Sequence, residues 1–378
     1  MRANPLKRLC ELGQSVWYDY IRRDLYTSGE LKRLIEEDGL RGMTSNPTIF
    51  QKAIAETELY DEDIRREASQ GKDPSAIFEA LAVEDVRRAA DVFRPVYDRS
   101  EGRDGFVSIE VAPRLAHDTE GSIAGARRLW KACDRPNVMV KIPGTKEGVP
   151  AIRKCLAEGI NINITLLFSV ERHREVMEAY LSACEERVAA GKPVDRLPSV
   201  ASFFVSRVDT NVDKKLDRIA KEGKNDREKG LAKELRGKVA IANARIAYQA
   251  FEEVFGGSRF AALKAQGARV QRPLWASTST KDPAYPELYY AEALVAPDTV
   301  DTLPPETFAA YRDHGDPKVR IHDDLPGAHA AFRGLGELGI DARQVSRELE
   351  EEGVKKFADS FDSLLKALEE KEKAMRVA

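Results

Sequence analysis

The sequence predicts an α/β fold in which eight parallel strands close into a barrel. Short apolar runs rich in Val and Ile alternate with longer amphipathic stretches, which is the pattern of parallel strands joined by helices. Eight such runs can be counted, and none is followed by a glycine-rich phosphate loop that would favour an open doubly wound sheet. We therefore expect a (β/α)8 TIM barrel with additional helices, formed by residues 1–378 as one domain.

The predicted strands are short, and each is followed by sequence of helical character. Their apolar residues are nearly continuous, as expected for strands that are buried on both faces. In chain order they span residues 15–20, 40–45, 105–111, 138–142, 160–168, 199–205, 272–277 and 298–303.

Three helical segments are also predicted. Residues 118–120, Asp-Thr-Glu, form a capping signal for a helix over residues 121–132. Residues 219–257 are interpreted as long and helical. Residues 346–376 predict a charged C-terminal helix that packs on the barrel or on a partner subunit, and that therefore allows a homodimer. Its apolar stripe consists of Val354, Phe357, Phe361, Leu364, Leu365 and Leu368.

Composition argues against several classes of function. The net charge is −3 and basic residues are interleaved with acidic ones, so no binding to nucleic acid is expected. No stretch approaches the roughly 18 apolar residues of a membrane-spanning helix, so no membrane association is expected. The five histidines and four cysteines lack the spacing of a metal site, and the cysteines are interpreted as reduced thiols of a cytoplasmic protein.

Lys141 is the most informative residue, because it is a lone amine in the apolar run 138–142. Burial favours the neutral form of an amine, which is the form that attacks a carbonyl carbon. A lysine at the end of a buried strand, before a glycine-containing turn, therefore fits Schiff-base chemistry on a sugar ketone. The alternative is a snorkelling or salt-bridged lysine with a structural role.

Polar residues interrupt seven of the eight predicted strands near their C-terminal ends, where a barrel of this class has its active face. Each buried polar group costs about 1–3 kcal/mol unless it is hydrogen-bonded, so their number favours an active site over a purely structural core. The residues are Asp19, Thr44, Ser45, Asn46, Glu110, Lys141, Asn163, Thr165, Ser202, Arg207 and Ser277.

These residue types fit an imine-forming enzyme. Asp19 and Glu110 provide one carboxyl group to move protons during imine formation and one to take a hydroxyl proton when a carbon–carbon bond breaks. The groups suited to hold polyol hydroxyls are those of Asn46, Asn163 and Ser202. The groups suited to bind a sugar phosphate near the rim are those of Arg207, Ser277 and Lys281. Alternatively, Asn46 shapes a turn before Pro47, and Arg207 is a surface salt-bridge residue.

Several motifs together resemble the transaldolase family. They are RGMTSNPTIF at 41–50, VSIEV at 107–111 with Arg114 and 118–119, VKIP at 140–143, and NINITLLFS at 161–169. The resemblance runs in order over residues 15–304. It implies an eight-stranded α/β barrel of the class I aldolase type, with no metal and no organic cofactor.

The resemblance implies a role for each of five residues. Lys141 resembles the family's Schiff-base lysine and lies 22 residues before Asn163, which fits a substrate-site asparagine. Asp19 resembles the acid/base of carbon–carbon cleavage. Glu110 and Thr165 resemble the pair that holds the catalytic water.

Other matches concern substrate binding. Asn46, Asn163 and Ser202 resemble hydroxyl-binding positions, while Arg207 and Ser277 resemble phosphate-binding positions. Many family members place a second phosphate-binding arginine where this chain has Ser279. Lys281 could substitute for that arginine as a point charge.

The resemblance implies transfer of a dihydroxyacetone unit in the non-oxidative pentose phosphate pathway. Sedoheptulose 7-phosphate or fructose 6-phosphate would donate it, and glyceraldehyde 3-phosphate or erythrose 4-phosphate would accept it. A related aldolase that releases free dihydroxyacetone is shorter, and typically carries Gln at Glu110 and Tyr at the substrate-site residue Phe204, so the transferase is favoured. The other alternative is a non-catalytic barrel that binds a sugar phosphate.

Overall fold

The computed structural model describes residues 4–377, and these form a closed barrel of eight parallel strands surrounded by helices. Each strand pairs with its neighbours in the sequence, and the last strand pairs with the first. The strands are β1 (Gln14–Asp19), β2 (Gly42–Thr44), β3 (Phe106–Glu110), β4 (Val138–Pro143), β5 (Ile162–Leu167), β6 (Ser199–Phe204), β7 (Arg272–Ala276) and β8 (Thr299–Leu303).

All eight predicted strands are confirmed, with ends that differ from the prediction by two residues or fewer. Every residue of β4, β5 and β6 is buried, because one face of each strand lines the barrel interior and the other meets the surrounding helices. This double burial explains why the strands were recognisable as nearly continuous apolar runs. The predicted (β/α)8 barrel is therefore correct.

The described residues form seventeen α-helices and a 3-10 turn at Pro113–Leu115. The helices are α1 (Pro5–Glu11), α2 (Arg23–Thr27), α3 (Glu30–Asp38), α4 (Pro47–Ala55), α5 (Asp61–Ser69), α6 (Pro74–Arg99), α7 (Thr119–Cys133), α8 (Gly148–Glu158), α9 (Val170–Ala189), α10 (Ser206–Glu222), α11 (Asp226–Leu235), α12 (Val239–Phe255), α13 (Ser258–Ala265), α14 (Tyr289–Ala293), α15 (Pro305–His314), α16 (Leu325–Glu337) and α17 (Ala342–Val377).

The capping signal after the third strand is confirmed in α7. Oδ1 of Asp118 accepts a hydrogen bond from the backbone N–H of Gly121 at 2.9 Å, which satisfies one of the free donors in the first helical turn. The helix runs one residue further than predicted at its C-terminal end, to Cys133.

The helical character predicted for residues 219–257 is confirmed, but the segment is divided into the end of α10 and all of α11 and α12. Asn225 caps α11, with its side chain accepting from the N–H of Glu228 at 2.9 Å. Gly237, with a φ of 72°, turns the chain before α12, and its N–H is held by the Asp213 carboxylate at 3.0 Å. The second cap comes from a distant helix, so local helix propensity could not reveal it.

Helix α17 confirms the prediction of a C-terminal helix that packs on the barrel. It begins at Ala342, four residues earlier than predicted, and packs mainly on α4, with further contacts to α5, α6 and α10. The ring of Phe361 meets that of Phe78 edge to face at 5.5 Å. The predicted stripe is thus used within the chain. Its fully buried members are Phe357, Phe361, Leu364 and Leu368.

The chain contains the spacing GxGxxG once, at residues 334–339. This segment covers the last turn of α16 and the turn after it, rather than a connection from a strand to a helix. At Gly334 a Cβ atom would lie 3.0 Å from Cδ1 of Leu235, so this glycine permits close packing of α16 on α11. The motif is therefore structural and not a dinucleotide loop.

The structure also bears on the expectations from composition. No helix of the described part of the chain is long and apolar enough to cross a membrane. The four cysteines are free thiols, and Cys133, Cys155 and Cys184 are buried. Among the described residues, no group of three or more His, Cys, Asp or Glu side chains is placed to hold a metal ion.

The lower part of the barrel interior is filled by Trp17, which faces Gly42 on the neighbouring strand. A Cβ atom at Gly42 would lie 2.5 Å from Cε2 of the Trp17 indole. Lower still, the buried guanidinium of Arg272 bonds to Ser15 Oγ at 2.7 Å and to Asp104 Oδ1 at 3.0 Å. These contacts close the bottom of the barrel, and the polar residues at the top line its mouth.

Gly42→Ala is expected to lower the free energy of unfolding by about 1–3 kcal/mol, because the added methyl group overpacks the Trp17 site. Gly230→Ala is the control, since a Cβ at this α11 position would meet no atom within 4 Å. The control should be neutral or should stabilise by about 0.5–1 kcal/mol. Urea unfolding monitored by circular dichroism measures both, and equal effects would contradict the packing described here.

Candidate active site

The site is centred on Lys141, whose side chain is only 6% exposed. Strand pairing places Lys141 between Glu110 of β3 and Asn163 of β5. Its Nζ donates a hydrogen bond to the backbone oxygen of Ser45 at 3.1 Å and lies 3.6 Å from Oε2 of Glu110. The amine is therefore held at the C-terminal mouth of the barrel, beside a carboxyl group.

Glu110 is not an ordinary salt-bridge partner for this amine. Burial raises the pKa of Glu110 to about 7, against the opposing effect of the nearby Lys141 charge. Near neutral pH the carboxyl group is thus protonated in part of the molecules. It can both give and take a proton, which a fully ionised structural partner could not.

Asp19 ends β1 on the same side of the barrel. Its Oδ1 accepts a hydrogen bond from Oγ1 of Thr44 at 2.7 Å, and that hydroxyl lies 2.7 Å from Oγ1 of Thr302. Burial raises the pKa of Asp19, while the charge of Lys141 and the bond from Thr44 lower it. A second carboxyl group with a raised pKa therefore lies near the amine.

Asn163 is fixed by two hydroxyl groups. Oγ of Ser202 donates to its Oδ1 at 2.6 Å, and its Nδ2 donates to Oγ of Ser108 at 3.0 Å. The chain of hydrogen bonds crosses the barrel interior from β6 through β5 to β3. It orients an amide next to Lys141 and needs no movement to present it to a ligand.

Two buried polar atoms near Lys141 have no hydrogen-bond partner in the described part of the chain, namely Oε2 of Glu110 and Oγ1 of Thr165. Buried polar atoms are nearly always satisfied, so such a pair in a site points to a ligand or a water molecule. Thr165 precedes Leu166, which has a φ of 60° where the register of β5 shifts. Backbone strain of this kind concentrates at functional sites.

The predicted phosphate-binding residues lie at the rim. The guanidinium of Arg207, in the first turn of α10, lies 5.0 Å from the ring centre of Phe204. Ser277 has a φ of 57°, and its Oγ lies 2.9 Å from Oγ of Ser206. Nζ of Lys281 donates to Oγ of Ser279 at 2.6 Å. Among the described residues, no carboxylate lies within 4 Å of the Arg207 or Lys281 nitrogens, so Arg207 is not a surface salt-bridge residue.

The turn-shaping alternative for Asn46 is confirmed. Its Oδ1 accepts a hydrogen bond from the N–H of Ile49 at 3.0 Å and caps α4. Nδ2 of Asn46 makes no hydrogen bond within the described residues, so it remains able to donate to a ligand.

Two supporting residues were not predicted from the sequence. Ser108 and Thr302 contact Asn163 and Thr44, yet neither was predicted to belong to the site, and no polar residue was predicted for the eighth strand. Thr302 faces the barrel interior, two residues after the inward-facing Val300. The period of two along a strand was therefore a signal that could have revealed it.

Glu110→Gln is expected to make stability less dependent on pH. The pKa of Glu110 is about 7 in the folded chain and about 4.5 in an unfolded one. The folded chain binds more protons between these values, so ionisation of Glu110 lowers the free energy of unfolding as pH rises.

Relative to this variant, the wild type should lose roughly 2 kcal/mol of stability between pH 5 and pH 8. Urea unfolding at the two pH values measures the difference. Glu36→Gln serves as the control, because its side chain is 64% exposed. A pH dependence of Glu110→Gln that parallels the wild type would show that Glu110 does not ionise in this range.

Comparison with known proteins assigns the chain to a family. The transaldolase/fructose-6-phosphate aldolase family model matches residues 16–368. Transaldolase 2 of Nostoc sp. is 46% identical over 378 residues, which cover 99% of each protein. The transaldolase of Saccharopolyspora erythraea is 49% identical over 366 residues, or 97% of each protein, and that of Mycobacterium tuberculosis is 50% identical over 368 residues, or 96% of each. The chain therefore belongs to the transaldolase/fructose-6-phosphate aldolase family.

Proposed function

We propose that the transaldolase activity of this chain proceeds through a Schiff base on Lys141. The donor is sedoheptulose 7-phosphate or fructose 6-phosphate, and the acceptor is glyceraldehyde 3-phosphate or erythrose 4-phosphate. The observation that carries the proposal is the buried amine of Lys141, 3.6 Å from a carboxyl group with a pKa of about 7.

In the first step, Nζ of Lys141 attacks the C2 carbonyl of the donor and forms a carbinolamine. Loss of water then gives the imine, which requires one proton to be delivered to the leaving hydroxyl group. Glu110 is the proton donor and acceptor, working through a water molecule held between it and Thr165. The unsatisfied oxygens of these two residues support this role.

In the second step, Asp19 takes the proton of the C4 hydroxyl group. The electron pair of the C3–C4 bond moves into the protonated imine and leaves an enamine on Lys141, while the aldose product departs. The enamine carbon then attacks the acceptor aldehyde, and Asp19 returns the proton to the new hydroxyl group. Water adds to the resulting imine, with Glu110 moving the protons, and cleavage of the C–N bond releases the new ketose phosphate and the free Lys141 amine. The raised pKa of Asp19 makes it a better base than an exposed aspartate.

The remaining site residues hold the sugar. Asn163, fixed by Ser202 and Ser108, binds the hydroxyl groups of the dihydroxyacetone unit together with Nδ2 of Asn46. The ring of Phe204 bounds the site and supports the Arg207 guanidinium. The terminal phosphate lies at the rim and is bound by Arg207, Ser277 and Lys281.

The two alternative functions are less well supported. The related aldolase is shorter and typically has Gln and Tyr at the positions of Glu110 and Phe204, whereas this chain is similar along its length to proteins named transaldolase. A non-catalytic barrel would not need an amine held beside a carboxyl group of raised pKa.

We also propose a cytoplasmic location, where the sugar phosphates of the pentose phosphate pathway are found.

Borohydride added during incubation with fructose 6-phosphate is expected to fix a dihydroxyacetone-sized adduct on Lys141, located by peptide mass spectrometry. Lys141→Met should form no adduct and should lose at least about a thousandfold of transfer activity, since it lacks the nucleophile. Lys146→Met, an exposed lysine after the same strand, is the matched control.

An intact, folded wild-type protein without an adduct would favour the non-catalytic barrel. Retention of a tenth of the activity by Lys141→Met would exclude Lys141 as the nucleophile. Turnover of fructose 6-phosphate that proceeds equally well without an acceptor aldehyde would favour the aldolase.

Asp19→Asn is expected to reduce kcat for transfer by about 10²–10⁴-fold, because no base remains for the C4 hydroxyl proton. The adduct on Lys141 should still form with dihydroxyacetone, whose imine needs no carbon–carbon cleavage. Asp298→Asn, at the opposite end of the barrel, is the control and should leave kcat unchanged. Unchanged turnover in Asp19→Asn would rule out this role.

A further inference from the structure

The phosphate-binding part of the site contains a cation that the sequence did not indicate. A cleft at the rim of the barrel is lined by Arg207 of α10, by Lys281 of the loop after β7 and by Lys356 of α17. The three side chains come from elements that are far apart in the chain, so only the closed barrel brings them together.

These three cations, like Lys214 in the same cleft, form no ion pair with a carboxylate among the described residues. Within the described residues, none of their side-chain nitrogens lies within 4 Å of an Asp or Glu oxygen. By contrast, Lys355 on the same helix pairs with Asp359, and Lys215 in the same cleft pairs with Glu348. Glu352 also lines the cleft but makes no such contact with the three cations.

The charges are also close enough to act on one another. Burial lowers the pKa of Lys356, and the charges of Arg207, Lys281 and Lys52 lower it further. Such a group of like charges is unfavourable, and it is only partly offset by the charges of Asp19 and Glu352 near Arg207 and of Glu306 near Lys281. An anion bound among the three cations would offset it further. A phosphate dianion has the charge and the size to do so.

Packing fixes α17 against this part of the site. The Arg207 guanidinium lies between two rings, 5.0 Å from the centre of Phe204 and 5.9 Å from that of Phe357 in α17. One turn earlier, a Cβ on Gly353 would lie 2.9 Å from Cδ2 of Leu166 and 3.6 Å from Nη1 of Arg207. The helix backbone thus approaches the rim closely, and the buried Phe357 fixes the backbone position of the adjacent Lys356.

We propose that α17 supplies Lys356 as a third phosphate-binding cation, next to Arg207 and Lys281. This inference rests on the proposed position of the substrate phosphate at Arg207 and Lys281. It gives a reason why Ser279 can stand where many family members have a second arginine. As a point charge on a flexible stem, Lys356 adds affinity for the phosphate without contacting the reacting carbons.

The test compares Lys356→Met with Lys355→Met in the full chain, using kcat and KM for fructose 6-phosphate and for fructose, which lacks the phosphate. Lys356→Met should raise the KM for fructose 6-phosphate about tenfold with kcat within about twofold. Its kcat/KM for fructose should equal that of the wild type. The inhibition constant of inorganic phosphate, measured as a competitive inhibitor, should rise by a similar factor. In Lys356→Arg this constant should return to the wild-type value.

Equal KM values and equal inhibition by inorganic phosphate in Lys356→Met and Lys355→Met would overturn the proposal. If Arg207→Met raises both constants in the same experiment, the phosphate position stands and only the role of Lys356 fails. If Arg207→Met changes neither, the phosphate lies elsewhere and both assignments fail. The adduct on Lys141 is unaffected by these outcomes, so it separately tests the proposed function.

Discussion

The site depends on the burial of the Lys141 amine next to Glu110, in the parallel register of β3, β4 and β5. The register alone places an acid, an amine and an amide side by side on three successive strands. Burial in the closed barrel raises the pKa of Glu110 to about 7. The proposed nucleophile and the proposed proton carrier thus depend on one geometric constraint.

A second constraint is the position of α17 over the rim. Its apolar stripe packs on α4 and α6, so the helix stabilises the outer shell at the same time as it approaches Arg207 and Leu166. The proposed phosphate site therefore depends on the packing of α17.

Much of the fold was predictable because burial on both faces leaves continuous apolar runs, and the polar residues that interrupt such runs stand out. Lys141, Glu110 and Asn163 were recognised for this reason. The break in residues 219–257 was missed because the cap at Gly237 comes from Asp213, in a helix that only tertiary packing brings close. Thr302 was missed although the period of two along a strand would have indicated it.

The sequence by itself determined the barrel, the order of its strands and the residue types at their ends, because these follow from local hydrophobic pattern and strand register. Only the tertiary structure decided how the side chains are used. It showed that Asn46 caps a helix, that Arg207 lies near Phe204 and Phe357 with no carboxylate of residues 4–377 within 4 Å, and that Lys356 shares its cleft. Such relations join residues distant in sequence, and their physical basis is burial and charge proximity, which exist only once the chain has folded.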